Sequence, residues 1–160
     1  MYEIEQKFIF DELPQNELEF IQHTIVYRQY LSSNPEIRIN RRVFDDGEER
    51  YNLTFKSENF LKRKEVKMRL SKEQYFDIID VNCCKDLVFE VWEYAIDEMH
   101  SISFKKCKDI DICFAEVEYA DMEDYHKMQG KIKGYDFVKE DVTENEKFYV
   151  KNIWRQFCGE

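Results

Sequence analysis

Residues 1–10, "MYEIEQKFIF", decide how the rest of the chain is read. As a β-strand the segment alternates sides, so Glu3, Glu5 and Lys7 fall on one face. What that face looks at is set by the other strands.

Strand-like runs follow one another: "TIVYRQYL" (24–31), "EIRINRRVF" (36–44), "RYNLTFKS" (50–57), "LKRKEVKMRL" (61–70), "DLVFEVWEYA" (86–95), "SISFKKC" (101–107) and "DICFAEVEY" (111–119). With the first, they make about eight strands. The dipeptide Asp46-Gly47 marks a tight hairpin, so at least that pair is antiparallel. Helical patterns interrupt the series at 14–23, "PQNELEFIQH", and at 71–80, where Ser71 and Gln74 form a capping box. Two more are expected at 121–130, ending on Gly130, and from Thr143 to about Phe157. The class is α+β, dominated by an antiparallel sheet.

Parity divides each strand into a polar and an apolar side. Arg38, Asn40 and Arg42 oppose Ile37, Ile39 and Val43, while Asn52, Thr54 and Lys56 oppose Tyr51, Leu53 and Phe55. Arg63, Glu65, Lys67 and Arg69 oppose Val66, Met68 and Leu70; Glu116 and Glu118 oppose Ala115, Val117 and Tyr119. An open sheet with one face in water has this pattern. So does a closed barrel with the charged side turned into a water-filled lumen and the apolar side beneath covering helices. In such a lumen Arg and Lys would neutralise phosphate oxygens, and carboxylates would need a hard divalent cation between them and the anion.

Composition narrows the partners. A formal net charge of −10 argues against nucleic-acid duplexes and anionic membranes. No apolar run reaches the roughly 20 residues of a membrane-spanning helix. The five cysteines form an odd set without a CxxC pair, which is read as reduced thiols in a soluble, cytoplasmic protein. His23, His100 and His126 lack metal-ligand spacing, and Trp92 and Trp154 are read as packing residues. At 160 residues with four glycines, two prolines and no linker, one domain over 1–160 is expected.

At this point the ordered motifs resemble the CYTH superfamily, the triphosphate tunnel metalloenzymes. Glu3-Ile4-Glu5-Gln6-Lys7 matches its E-x-E-x-K unbroken. "YRQYL", "IRIN", "LTFK", "RKEVK", "AEVEY" and "DVTENEKFYVKN" resemble its later segments in order, across nearly the whole chain. The resemblance implies an eight-stranded antiparallel closed tunnel with flanking helices and a C-terminal helix, acting on a small-molecule triphosphate or polyphosphate with Mg²⁺ or Mn²⁺. It implies metal ligation by Glu3, Glu5, Glu116 and Glu118, and catalytic roles for Lys7, Lys56 and Glu65. Substrate binding would fall to Lys7, Arg38, Arg42, Lys56, Arg63 and Lys67, with Lys147 on the last helix closing one mouth.

Departures from the pattern bear on function. Asn40 stands for the usual second arginine, and Lys67 for the second acid of R-x-E-x-E; the seventh strand carries Lys105 and Lys106 and lacks its usual acid. These changes weaken a second metal site in particular. A tunnel that binds polyphosphate or nucleotide without turnover therefore stands beside triphosphate hydrolysis, with adenylate cyclase activity ranked below both. The oligomeric state is left open, a dimer included.

Overall fold

The computed structural model describes residues 1–158. Eight antiparallel strands close into a barrel: β1 (Tyr2–Phe10), β2 (Glu19–Ser33), β3 (Glu36–Phe44), β4 (Glu49–Lys56), β5 (Lys62–Leu70), β6 (Leu87–Ala95), β7 (Ser101–Cys107) and β8 (Cys113–Tyr119). The strands run in the order β5-β4-β3-β2-β6-β7-β8-β1, and β1 closes the ring by pairing with β5. β1 splits its second edge: Tyr2–Ile4 pair with β5, whereas Phe8 and Phe10 pair with a short ninth strand, β9 (Val138–Asp141). At the β3–β4 hairpin Gly47 takes φ +89°, a conformation that favours glycine, and its N–H donates to Phe44 O at 3.0 Å.

Helices cover the apolar outer face in two places. α1 (Lys72–Asn82) starts on the expected Ser71–Gln74 capping box and buries Tyr75 against Ile39 and Tyr51. α2 (Met122–Lys133) is capped by Asp121 and lays Met128 and Ile132 over outward residues of β1, β7 and β8, including Phe8, Phe104 and Val117. A third helix, α3 (Val150–Cys158), seats Val150, Ile153 and Trp154 on Tyr30, Leu87, Phe89 and Phe114. No helix is long and apolar enough to cross a membrane among the described residues.

Several expectations change. The helix expected at 14–23 is a bend leading into β2, because Glu19–His23 are taken up by ladder pairing with Trp92–Ala95 of β6. α2 runs past Gly130 to Lys133 and is capped by Gly134. The last helix is broken into one 3₁₀ turn, Glu146–Phe148, and then α3. The lumen is not charged throughout: register puts Phe89, Val91 and Phe114 on the same side as Lys105 and Glu116, so one wall is apolar where α3 needs a seat.

Candidate functional site

The pairing register gathers the charges. β1 sets Glu3 beside Arg63, Glu5 beside Glu118 and Lys7 beside Glu116. Across the barrel Lys56 lies between Glu36 and Glu65. Every one of these residues has the inward parity, and the side chains meet. Lys56 Nζ donates to both oxygens of Glu3 at 2.7 Å and sits 3.0 Å from Glu65 Oε2. Arg63 reaches Glu3 at 2.8 Å, Glu5 at 3.3 Å and Glu36 at 3.4 Å, and Arg38 reaches Glu36 at 3.4 Å. Burial is deep, with side-chain exposures of 0% for Lys56, 9% for Glu3 and 10% for Glu5.

Glu3, Glu5 and Glu118 each direct a carboxylate oxygen into a space where the three lie within 4.8 Å of one another. An all-oxygen donor set of that size suits a hard cation such as Mg²⁺ or Mn²⁺. Glu116 is not in this group. Lys7 Nζ lies 3.2 Å from its Oε1, and Lys105 Nζ is in direct contact with its Oε2.

The electrostatics follow from this packing. Burial alone would raise the carboxyls of Glu3 and Glu5, and the two acids also repel, yet Lys56 and Arg63 hold both below the usual range. Glu118 is exposed, but the protein packed around it, together with Glu5 and Glu3, pushes its carboxyl up. Burial lowers Lys7 to about 8, helped by Arg63, Arg28 and Arg38 and opposed by Glu5. Burial, and after it Arg38, brings Arg28 down to about 10 against the opposing pull of Tyr30 and Glu36. Arg38 is raised despite burial, because Glu36 faces it.

Between this network and α3 lies a cavity of about 400 Å³. Lys7, Arg38 and Arg63 line its floor; Lys151 and Arg155 stand at its rim. Both rim cations are anchored to Ser33 at the end of β2, Lys151 at 3.4 Å to the carbonyl and Arg155 to the hydroxyl. Phe60 and Tyr149 stack at 5.0 Å and 20° beside it. Two buried donors here, Arg38 Nε and the Tyr30 hydroxyl, lack a well-formed hydrogen bond, although that hydroxyl lies near Arg28 and Arg38. Arg28 itself donates through Nε to Asn40 at 2.7 Å, which gives the apparent loss of an arginine at position 40 a structural meaning.

The remaining sequence-derived candidates lie apart from this cavity. Arg42 sits at the end of β3 away from α3 and pairs with Glu93 at 3.5 Å. Lys67 pairs in register with Thr54 but is exposed. Lys147 is on the 3₁₀ turn rather than α3, exposed and outside the cavity lining, because the helix break after it turns Lys151 and Arg155 to the mouth instead. Arg28, Tyr30, Glu36, Lys151 and Arg155 were not singled out from sequence. Arg28 and Glu36 were within reach, since both fall inside quoted segments: Glu36 has Arg38's parity, and Arg28 pairs opposite Asn40.

Fold and site together define a closed antiparallel tunnel with a charged lumen. Among solved structures, the inorganic triphosphatase NE1496 superposes with a TM-score of 0.60 at 18% identity, covering 94% of this chain and 93% of that one. The PH1819 protein from Pyrococcus horikoshii gives 0.63 at 19% identity, covering 96% of each. A putative adenylyl cyclase from Hippeastrum, described as having a dominant triphosphatase activity, gives 0.55 at 10% identity, covering 98% and 95%. At these identities the likeness is one of fold. No family model and no curated protein matches the chain.

Proposed function

We propose that the tunnel binds a triphosphate chain and hydrolyses it with a divalent cation, Mg²⁺ or Mn²⁺. The observation that carries this reading is the convergence of three carboxylates, Glu3, Glu5 and Glu118, beside a cavity lined by Lys7, Arg38 and Arg63, with Arg63 joining the two. A cation bound to those acids supplies Lewis-acid stabilisation of phosphoryl oxygens and activation of water. The shared fold with a solved inorganic triphosphatase supports the same reading.

The chain's own residues do the rest. The acids Glu3, Glu5, Glu36, Glu65, Glu116 and Glu118 match in number the cations Lys7, Arg28, Arg38, Lys56, Arg63 and Lys105, so the resting lumen is close to neutral. A polyanion entering alone would upset that balance, whereas a divalent cation entering with it offsets part of the added charge. Arg63, now shared among three carboxylates, is placed to exchange them for phosphate oxygens, and a guanidinium does so in paired geometry. Arg38 and Tyr30 are desolvated beside the cavity, and Arg38 Nε and the Tyr30 hydroxyl lack a well-formed hydrogen bond there. Lys56 and Glu65 hold Glu3 in place, which makes them positioning residues. The cavity volume falls within the range of small-molecule sites, roughly 300–1,000 Å³.

Tripolyphosphate incubated with Mg²⁺ or Mn²⁺ should release inorganic phosphate, and Glu5→Gln should slow this by about a hundredfold, as for other lost electrostatic contacts to a transition state. Equal rates in the two proteins would reject the roles assigned. A second reading, capture without turnover, is favoured by the way Lys56 and Arg63 already neutralise the acids. Tight tripolyphosphate binding in calorimetry without any divalent ion, and with no product formed, would replace the first reading with the second.

A further inference from the structure

Of the four acids that the sequence marks as metal ligands, three converge and one does not. Glu116 has both carboxylate oxygens engaged by ammonium groups, Oε1 by Lys7 at 3.2 Å and Oε2 by Lys105. Its side chain is only 8% exposed, so both contacts are largely sheltered from bulk solvent. Lys105 reaches it from the apolar wall: in register it faces Val91 on one side and Phe114 on the other, and its ammonium lies 6.0 Å from the Phe114 ring centroid. Lys7 lies over the same ring at 4.5 Å. Burial and the neighbouring Arg28, Lys7 and Arg38 press Lys105 below the usual lysine range and Glu5 opposes them, while its contact with Glu116 sets a positive charge, supplied by the chain, at the position where an acid would otherwise call for a cation from solution.

We propose that Lys105 is a built-in counter-ion that replaces a second metal, so that the tunnel takes one divalent cation, on Glu3, Glu5 and Glu118, and leaves Glu116 to the two lysines. This rests on the reading that those three acids hold a divalent ion. Its physical basis is exclusion. Two ammonium groups in contact with Glu116 would repel a dication at close range, and in a water-poor lumen that repulsion is weakly screened. The consequence for the substrate is asymmetric: one end of a bound phosphate chain would meet a labile ion and the other a fixed ammonium pair.

Mn²⁺ alone is the probe, counted by electron paramagnetic resonance of the free ion during titration of the full chain. The wild type should bind one Mn²⁺ per chain. Glu116→Gln should leave that count at one and the affinity within about threefold, whereas Glu118→Gln should weaken it by tenfold or more. Lys105→Glu should admit a second, weaker Mn²⁺ by setting a second carboxylate beside Glu116 in place of the ammonium. A wild-type count of two, a Glu116→Gln protein that loses Mn²⁺ as Glu118→Gln does, or a Lys105→Glu count that stays at one overturns the proposal. A wild type that binds no Mn²⁺ overturns the metal reading beneath it, which is a separate outcome. Circular-dichroism melts verify that each variant is folded before its count is read.

Discussion

Replacing Lys56 with methionine tests the central network most directly. The lysine is fully buried, bonds both oxygens of Glu3 at 2.7 Å and holds Glu65 at 3.0 Å. Removing one partner of a buried pair costs about 3–5 kcal/mol, because the remaining charge stays desolvated. Two features here favour the lower end: Glu3 retains Arg63 at 2.8 Å, and Glu65 is partly open to water. The expected loss for Lys56→Met is therefore about 3 kcal/mol, equivalent to a fall of roughly 6–12 °C in Tm for a chain of this size. Urea denaturation at pH 7, read as a change in midpoint at constant slope, measures it. Glu3→Gln added to Lys56→Met should recover most of the loss, since the stranded charge is then gone. Mn²⁺ should raise the Tm of Lys56→Met more than that of wild type, because the ammonium that competes for Glu3 is absent. A single variant within 0.5 kcal/mol of wild type, or a double variant without recovery, would refute the reasoning.

Two further outcomes concern pH. With Lys7 lowered to about 8 in the free protein, kcat/KM for tripolyphosphate should begin to fall as pH rises through that value, and Lys7→Arg should carry the fall to higher pH; a limb that does not move rules out Lys7 as its source. His100 joins the β6–β7 hairpin to α2, with Nδ1 2.7 Å from Asp97 and Nε2 3.0 Å from Asp124. Partial burial lowers its pKa, but the bonds to Asp124 and Asp97 prevail and it lies above the ordinary value. Because the folded value is the higher one, this contribution is complete below about pH 6.5 and is lost as pH rises through the raised value. His100→Gln should thus cost about 1 kcal/mol at pH 5.5 and progressively less toward pH 9, measured by paired urea melts; a gap that widens with pH contradicts the assignment.

Much of the barrel was legible because strand parity is a strict period. Glu3, Glu5, Lys7, Arg38, Lys56, Arg63, Glu116 and Glu118 all take the shared face on which alternation placed them, and closure of the sheet turns that face inward. The segment 14–23 misled because Glu17, Leu18, Ile21 and Gln22 satisfy a helical period locally, while the pairing that overrides it comes from Trp92–Ala95, far along the chain. β9 went unseen since four residues carry too little pattern. Parity gives the face of a side chain but not its partner, so the sequence could not separate Glu116 from the other acids. That separation depends on Lys105, whose neighbours in space are Val91 and Phe114 rather than anything adjacent in sequence.

The closure of the ring by β1 has a consequence for how the protein is made. Glu3 and Glu5 emerge from the ribosome first, and Glu118 only after the seven strands that follow β1 have begun to appear. The acid trio therefore cannot assemble until β8 pairs with β1, and slow, long-range pairing of this kind comes late in folding. A chain that has not yet joined β8 to β1 therefore lacks the trio, however much of the remaining sheet has formed.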